Sequence, residues 1–300
     1  MENWMEKPLH DSQAARNDQP QSKSSYVVDA ENAAEMARLT RQARMLSQHF
    51  ALFPCDIALP EAPRILDIGC GPGEWAHSVA KHLPQSQVFG IDISDLMITY
   101  ARYMASSEDI SNTNFQVMDA RQPLAFPDAY FDYVNARFIV GILSTSQWGP
   151  LLRECFRVLR PGGLICDIEP ESFGSTTGDA LGRYSLFLTQ ASRCAGKAFT
   201  SFGEMVGISA VQPRLLREAG FHQVQQGAYI INYSAGMPAH DAIYDNFKTF
   251  MKLLQPFIIA QNLSTQEELE RLYAQALEEM EDNEFCAAAF FSRVCAKKPV

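Results

Sequence analysis

Apolar residues divide the chain into short runs that alternate with longer amphipathic patterns. Between Arg64 and Asp92, the run Ile-Leu-Asp-Ile is followed by three glycines, a helical pattern over 74–83, and a second apolar run that ends on Asp92. Apolar runs of this length are typical of strands buried on both faces of a parallel sheet. The stretch therefore predicts a β-α-β unit whose first turn is rich in glycine.

The same alternation continues to the end of the chain and predicts an α/β fold. A helical insert over 238–282 interrupts it, and its last helix is predicted to begin at the capping box Ser264-x-x-Glu267. The segment 285–294 has the length and apolarity of a final antiparallel strand. The other predicted strands cover 114–118, 133–136, 164–168 and 224–233, and the other predicted helices cover 94–106, 147–159 and 213–219.

The N-terminal region is predicted to contain a polar, flexible tail over 1–24 and then one helix. Asp29 is the predicted N-cap, and the helix is expected to continue to about Phe53, with apolar residues at steps of three and four. Two interpretations remain open for this helix. It is either an additional helix packed on the domain or, together with Tyr26, a lid over the ligand cleft.

The glycine-rich turn indicates a nucleoside-containing ligand. Gly69, Gly71 and Gly73 allow the backbone to turn tightly and to pass close to a ligand, which a Cβ atom would obstruct. Asp92 ends the second strand, where it is suited to accept hydrogen bonds from the two hydroxyls of a ribose. A dinucleotide fingerprint would need a glycine at Glu74, and a pyrophosphate there would face a carboxylate at the helix N-terminus.

The spacing Asp67-x-Gly69-x-Gly71-x-Gly73 resembles the first motif of the class I S-adenosylmethionine-dependent methyltransferases. Two further segments strengthen the resemblance, which covers about 63–170. Pro-Asp-x-x-Phe-Asp over 127–132 resembles the type-11 group, which includes the ubiquinone and menaquinone C-methylating enzymes, and a Leu-Arg-Pro-Gly-Gly segment ends the helix at 159–163. The resemblance implies a doubly wound, seven-stranded, mostly parallel sheet with a helical cap.

The resemblance also implies a site for S-adenosylmethionine, with no metal. Asp67 is expected near the methionyl amino group, Asp92 at the ribose, and Asp119 at the adenine amino group, although Asp119 could instead belong to a solvated turn. The remaining residues that the resemblance places at the cofactor are Gly69, Cys70, Gly71, Gly73, Ile93, Met97, Ala120 and Asn135.

The acceptor side of the site is predicted from the ends of the fourth and fifth strands. Arg137 is expected to hold an anionic or carbonyl-bearing substrate, or else to pair with a structural carboxylate. Glu169 is the predicted general base, with a structural role as a partner of Arg137 or as a backbone cap left open. The other predicted substrate contacts are Tyr26, Phe138, Phe173 and Tyr184, some of which could simply form the core of the cap.

Composition narrows the class of partner. The formal net charge is −10 and no cluster of Lys and Arg occurs, which disfavours a nucleic-acid substrate. The seven cysteines form no C-x-x-C pair, which favours free thiols in the cytoplasm over a zinc site or disulfide framework. No apolar run is long enough for a membrane span.

The sequence thus predicts an S-adenosylmethionine-dependent methyltransferase that acts on a small, largely apolar, natural-product or quinone-like molecule at an oxygen, nitrogen or carbon. The alternative is a non-catalytic regulator or assembly partner that binds the same cofactor, and a homodimer is left open. The predicted organisation is a tail (1–24), a cap helix (25–55), the cofactor-binding core (56–170), a substrate-cap segment (171–210), a core helix and strand (211–237), a helical insert (238–284) and the final strand (285–300).

Overall fold

A computed structural model describes residues 26–54 and 57–300 of the chain; the tail predicted over 1–24 lies outside the described residues. The centre of the fold is a mostly parallel sheet in the order β3-β2-β1-β4-β5-β8, with β6 and β7 both paired to β8. The strands are β1 Arg64–Ile68, β2 Gln87–Asp92, β3 Thr113–Val117, β4 Phe131–Arg137, β5 Leu159–Pro170, β6 Ser175–Thr176, β7 His222–Asn232 and β8 Ala287–Lys297.

Pairing along the sheet confirms the predicted parallel core and the antiparallel last strand. β1 lies between β2 and β4, all parallel, and β5 continues the parallel set beside β4. β8 runs antiparallel to β5 and to β7. The strand order reverses between β1 and β4, and in open α/β sheets ligands bind at the carboxyl ends of the strands at such a point.

Helices cover both faces of the sheet. Successive side chains of a strand point to opposite faces, and β1 carries apolar residues on both. Ile65 packs with α2 and α3 on one face, and Leu66 packs with α4 and α6 on the other. A third cluster joins α1, α5, α7 and α8 into a layer, here called the cap. The helices are α1 Ala33–Ser47, α2 Glu74–His82, α3 Asp95–Ser107, α4 Trp148–Val158, α5 Asp179–Cys194, α6 Ile208–Glu218, α7 His240–Ala260 and α8 Gln266–Glu281.

Several predicted boundaries are wrong. The sheet has eight strands rather than seven, because the two-residue β6 is too short to leave an apolar pattern. α1 begins after Asn32, whose side chain accepts a hydrogen bond from the Ala34 N–H, and it ends well before Phe53. The N-cap residue of α8 is Thr265, one residue after the predicted Ser264.

Two features of the helical layer came only with the structure. α5 occupies a segment that the sequence reading left without a helix. α6 begins at Ile208, five residues before the predicted start at 213, and its first turn is held by a distant carboxylate. Glu171 accepts hydrogen bonds from the N–H groups of Gly207 and Ser209, at 2.6 and 2.7 Å.

No helix in the described part of the chain combines the length and apolarity that a membrane crossing requires. Within residues 26–54 and 57–300, His, Cys, Asp and Glu side chains form no group of three that could hold a metal ion.

Candidate functional site

Two adjoining cavities lie between the carboxyl ends of the strands and the cap. The rim cavity, with about 900 Å³ of empty volume including its opening, is bounded by the β1–α2 loop, Asp67, Asp92, Arg137 and the inner face of α1. The cap cavity, with about 980 Å³, lies between α1, α5, α7 and β8. Four residues line both cavities and mark the junction between them: Tyr26, Gln42, Leu46 and Phe138.

The glycine-rich turn forms one wall of the rim cavity. Gly69, Gly71 and Gly73 have φ values of +64°, +52° and +84°, a region that side-chain-bearing residues rarely occupy. A Cβ atom at Gly71 would face the cavity, with Leu39 on α1 at 3.7 Å. A Cβ atom at Gly73 would instead lie 2.9 Å from the Cβ of Ala101. Gly73 therefore serves the packing of the loop and does not line the cavity.

Asp92 is held at the edge of the rim cavity by the loop itself. Its Oδ2 accepts a hydrogen bond from the Gly71 N–H at 2.9 Å, and its Oδ1 accepts one from the Ser94 N–H at 3.0 Å. Burial raises the pKa of this carboxyl, and the backbone hydrogen bonds oppose that shift. Each oxygen keeps a further acceptor site, so the group can receive two hydroxyls from a ligand. Ile93 and Met97 line the cavity beside it.

The opposite end of the rim cavity carries one acidic and one basic group. Asp67 is only 2% exposed, and its Oδ1 accepts a hydrogen bond from the Asn135 amide at 2.7 Å. Burial raises the pKa of Asp67 to about 6, against the opposing effect of Arg137. Asn135 does not line the rim cavity; it orients Asp67 from behind.

Arg137 has no ion-pair partner within 4 Å among the described residues. Its guanidinium lies 5.8 Å from the ring centroid of Trp75, and burial lowers its pKa while Asp67 opposes the shift. It lines the rim cavity and is not part of the wall of the cap cavity. Arg137 therefore lies beside Asp67 in the rim cavity, apart from the apolar space under the cap.

A smaller recess extends the rim cavity beyond Asp92. Asp119 and Ala120 line it together with Gly69 and Ile93. The Asp119 carboxylate accepts two hydrogen bonds from the Arg121 guanidinium, at 2.8 and 2.9 Å. A carboxylate has acceptor sites for further donors, so this pairing leaves room for a contact with a ligand amino group.

Glu169 is fully buried and faces neither cavity. Its Oε1 accepts a hydrogen bond from the Ile139 N–H at 2.8 Å, and its Oε2 accepts one from the Val140 N–H at 3.1 Å. Burial, and next the neighbouring Asp167, raise the pKa of this carboxyl well above its usual value. These contacts correct the general-base prediction and favour the backbone-cap alternative.

The cap cavity has mainly aromatic and aliphatic walls. Phe138 and Phe173, two of the predicted substrate contacts, lie in its wall. Phe138 has φ +58°, which is uncommon outside glycine, and its N–H donates to the Ile168 carbonyl at 2.9 Å. Tyr184 does not line the cavity, because its ring is fully buried in the cap and its hydroxyl donates to the Met251 carbonyl. The prediction of Tyr184 as a substrate contact is corrected accordingly.

The N-terminal segment packs over the rim cavity. The Val27 N–H donates to the Gly141 carbonyl at 3.2 Å, and the Ser94 hydroxyl donates to the Ala30 carbonyl at 3.0 Å. Leu39, Ala43 and Leu46 of α1 then line the cavity directly. The apolar stripe of this helix is therefore used in part for the ligand space.

Sequence reasoning missed the polar residues of the cap cavity, which are Arg38, Gln42, Ser172 and Asn246 among others. The available signal was an interruption of apolar helix faces, since Arg38 and Asn246 are buried at positions where an amphipathic helix normally carries an apolar residue.

Comparison with known proteins agrees with this geometry. Residues 65–163 match the family model described as a methyltransferase domain. A demethylmenaquinone methyltransferase of Listeria monocytogenes is 34% identical over 106 residues, which are 35% of this chain and 44% of that protein. The chain thus matches less than half the length of this curated relative.

Solved structures show the fold. The YcgJ protein from Bacillus subtilis aligns with a TM-score of 0.52 and 16% identity over 87% of this chain and 99% of that chain. Phosphoethanolamine N-methyltransferase 2 from Haemonchus contortus, in complex with phosphomonomethylethanolamine and S-adenosylhomocysteine, aligns with a TM-score of 0.50 and 19% identity over 86% of this chain and 52% of that chain. The predicted resemblance and the class I methyltransferase fold are confirmed.

Proposed function

We propose that this chain, whose residues 65–163 form a methyltransferase domain, transfers a methyl group from S-adenosylmethionine in the rim cavity to a small organic molecule in the cap cavity. One observation carries the proposal. A cavity whose polar groups suit a nucleoside joined to an amino acid adjoins a second cavity with mainly apolar walls, and four residues line both.

The polar groups of the rim cavity complement the three parts of the cofactor. Asp92 receives the ribose hydroxyls, and the recess at Asp119 and Ala120 receives the adenine. The amino-acid end of the cofactor is a zwitterion, and the cavity offers it one carboxylate and one guanidinium. Asp67 binds the ammonium group, and Arg137 binds the carboxylate. Burial on both sides strengthens such charge-assisted hydrogen bonds.

The N-terminus of α2 distinguishes this cofactor from a dinucleotide. Glu74 lines the rim cavity in the first turn of the helix and forms an ion pair with Arg44 at 3.0 Å. A pyrophosphate at this position would meet a carboxylate where anion-binding helices present unobstructed N–H groups. S-adenosylmethionine carries no phosphate and meets no such opposition.

Positioning explains most of the catalysis that this geometry supports. The bound cofactor supplies a methyl group that its sulfonium already activates. The chain holds the two reactants on either side of the junction, closes the rim with α1, and excludes water with Leu46 and Phe138. Tyr26 lies at the junction with its hydroxyl donating to Glu35 at 2.8 Å, close enough to contact the acceptor.

The acceptor is proposed to be small and largely apolar, of natural-product or quinone type, and methylated at oxygen, nitrogen or carbon. The walls of the cap cavity support this class, and so does the named activity of the Listeria relative on a demethylated menaquinone. A cytoplasmic location is part of the proposal, supported by the free thiols of the six described cysteines.

Calorimetric titration with S-adenosylmethionine, S-adenosylhomocysteine and NAD tests the cofactor assignment. We expect binding of the first two and none of NAD; binding of NAD alone would contradict the proposal. Transfer of a labelled methyl group to a panel of small acceptors then tests catalysis. Cofactor binding without transfer to any acceptor would favour the non-catalytic alternative.

A further inference from the structure

A buried polar network forms one end of the cap cavity. Arg38 is only 2% exposed, and its Nε and Nη2 donate to the two carboxylate oxygens of Glu35 at 2.7 and 2.6 Å. Its guanidinium also lies 4.5 Å from the ring centroid of Phe250. Glu35 is itself fully buried and accepts the Tyr26 hydroxyl. The bidentate ion pair fixes the position of the guanidinium at the cavity wall.

Two amide side chains of the wall are oriented by Arg38. Its Nη1 donates to the Oε1 of Gln42 and, at 2.9 Å, to the Oδ1 of Asn246. A guanidinium only donates, so each amide has to turn its oxygen toward Arg38 and its NH₂ group away from it. Gln42 and Asn246 both line the cap cavity, and no described residue accepts a hydrogen bond from either NH₂ group. The network therefore presents hydrogen-bond donors to the cavity.

The charged side chains of the cavity wall already have hydrogen-bond partners. The positive charge of Arg38 is balanced by Glu35. The acid in the wall itself is Glu171, whose two carboxylate oxygens accept hydrogen bonds from the N–H groups of Gly207 and Ser209. Moving a charged group into such an environment without a partner of opposite charge is costly, whereas a neutral group that accepts a hydrogen bond is favoured.

We propose that the methyl acceptor is a neutral molecule with an apolar body that presents one or two carbonyl-type oxygens to the NH₂ groups of Gln42 and Asn246. The inference rests on the proposed function for the cap cavity as acceptor site. Aromatic walls at Phe138, Phe173 and Phe247 favour a planar body. Gln42 lines both cavities, so the oxygen bound there lies beside the methyl donor, and the methylated atom belongs to the oxygen-bearing end of the molecule.

Matched probes test this class with the full chain saturated with S-adenosylhomocysteine. The pair is 2-acetylnaphthalene and 2-ethylnaphthalene, which share shape and differ in a carbonyl oxygen, and phosphoethanolamine is the charged probe. We expect the ketone to bind about five- to tenfold tighter than the hydrocarbon, the effect of one net hydrogen bond, and phosphoethanolamine not to bind. Equal affinity for the ketone and hydrocarbon, binding of phosphoethanolamine in their place, or binding of no probe would each overturn the inference.

Variants assign the preference to the network. Asn246→Leu keeps the approximate volume and removes one of the two donors, so the ketone preference should fall while the hydrocarbon still binds. In the double variant with Gln42→Leu, the preference should be less than about twofold. Gln42→Leu is the second variant, should Asn246→Leu fail to fold. Asn232→Leu is the matched control on β7, outside both cavities, and should retain the preference. A preference that survives in the double variant would overturn the inference.

Titration with S-adenosylhomocysteine separates the two proposals. If the wild-type protein binds this cofactor product but does not distinguish the ketone from the hydrocarbon, only the inference about the acceptor fails. If the wild-type protein does not bind S-adenosylhomocysteine, the proposed function fails, and the inference fails with it.

Discussion

Replacing Arg137 by methionine tests where the amino-acid end of the cofactor lies. Methionine keeps much of the apolar stem and removes the guanidinium. Arg137 has no ion-pair partner within 4 Å in the described part of the chain, and burial already lowers its pKa. Loss of the charge should therefore cost the free protein little stability. Its effect should fall on the ligand that the charge serves.

The magnitude follows from the burial of the site. Truncating one partner of a buried, hydrogen-bonded charge pair costs about 2–5 kcal/mol. Arg137 is half-buried, so we expect the lower end of this range. At about 1.4 kcal/mol for each factor of ten, 2 kcal/mol corresponds to a loss of affinity of roughly 30-fold. A ligand that has no carboxylate should bind the variant with almost the same affinity as the wild-type protein.

Calorimetry with two ligands measures this difference. S-adenosylhomocysteine has the amino-acid end, and 5′-methylthioadenosine has the same nucleoside without it. In Arg137→Met, the dissociation constant should rise about 30-fold or more for the first ligand and less than about threefold for the second. Arg64→Met is the matched control, because Arg64 lies at the amino end of β1, opposite the cavities, with its guanidinium over the ring of Tyr130.

Two results would refute the reasoning. An equal loss for both ligands would show that the substitution distorts the whole rim cavity. Unchanged binding of S-adenosylhomocysteine with a higher KM for the acceptor would return Arg137 to the substrate role that the sequence suggested.

Three further predictions concern the loop and the buried acids. Burial raises the pKa of Asp67 to about 6, and only the ionised carboxylate can bind the ammonium group of the ligand. The affinity for S-adenosylhomocysteine should therefore fall by up to tenfold per pH unit below about pH 6. In titrations from about pH 5 to 8, Asp67→Asn should show weak binding that does not depend on pH. Glu169→Gln should lower the free energy of unfolding by about 1–3 kcal/mol, because a backbone N–H loses its acceptor. The same variant should change kcat less than about threefold. A large loss of kcat at unchanged stability would support Glu169 as the general base. Gly71→Ala should lower stability by about 1–2 kcal/mol, because alanine disfavours the left-handed conformation at this position, and should weaken cofactor binding. Gly73→Ala should lower stability more, because its new Cβ atom would also overlap the Cβ of Ala101. Equal denaturation midpoints for the two variants would contradict this prediction.

The sequence alone determined the β-α-β unit and the succession of the main strands along the chain, and its family resemblance indicated the cofactor class. These features depend on residue patterns within a single strand, a single turn or a single β-α-β unit. An apolar run, alternate glycines and an acid at a strand end fix local geometry wherever the segment lies in the fold. The acid Asp92 and the turn at Gly71 illustrate this, because they meet through a hydrogen bond within one such unit.

Only the tertiary structure decided which polar groups face the ligands. A strand brings Glu169 to the rim, yet the N–H groups of Ile139 and Val140 draw its carboxylate away from both cavities. Asn246 meets Arg38 across 208 positions of sequence. Strand position fixes where a side chain starts, but its direction depends on the partners that satisfy it once water is excluded, and those partners come together only when the chain has folded.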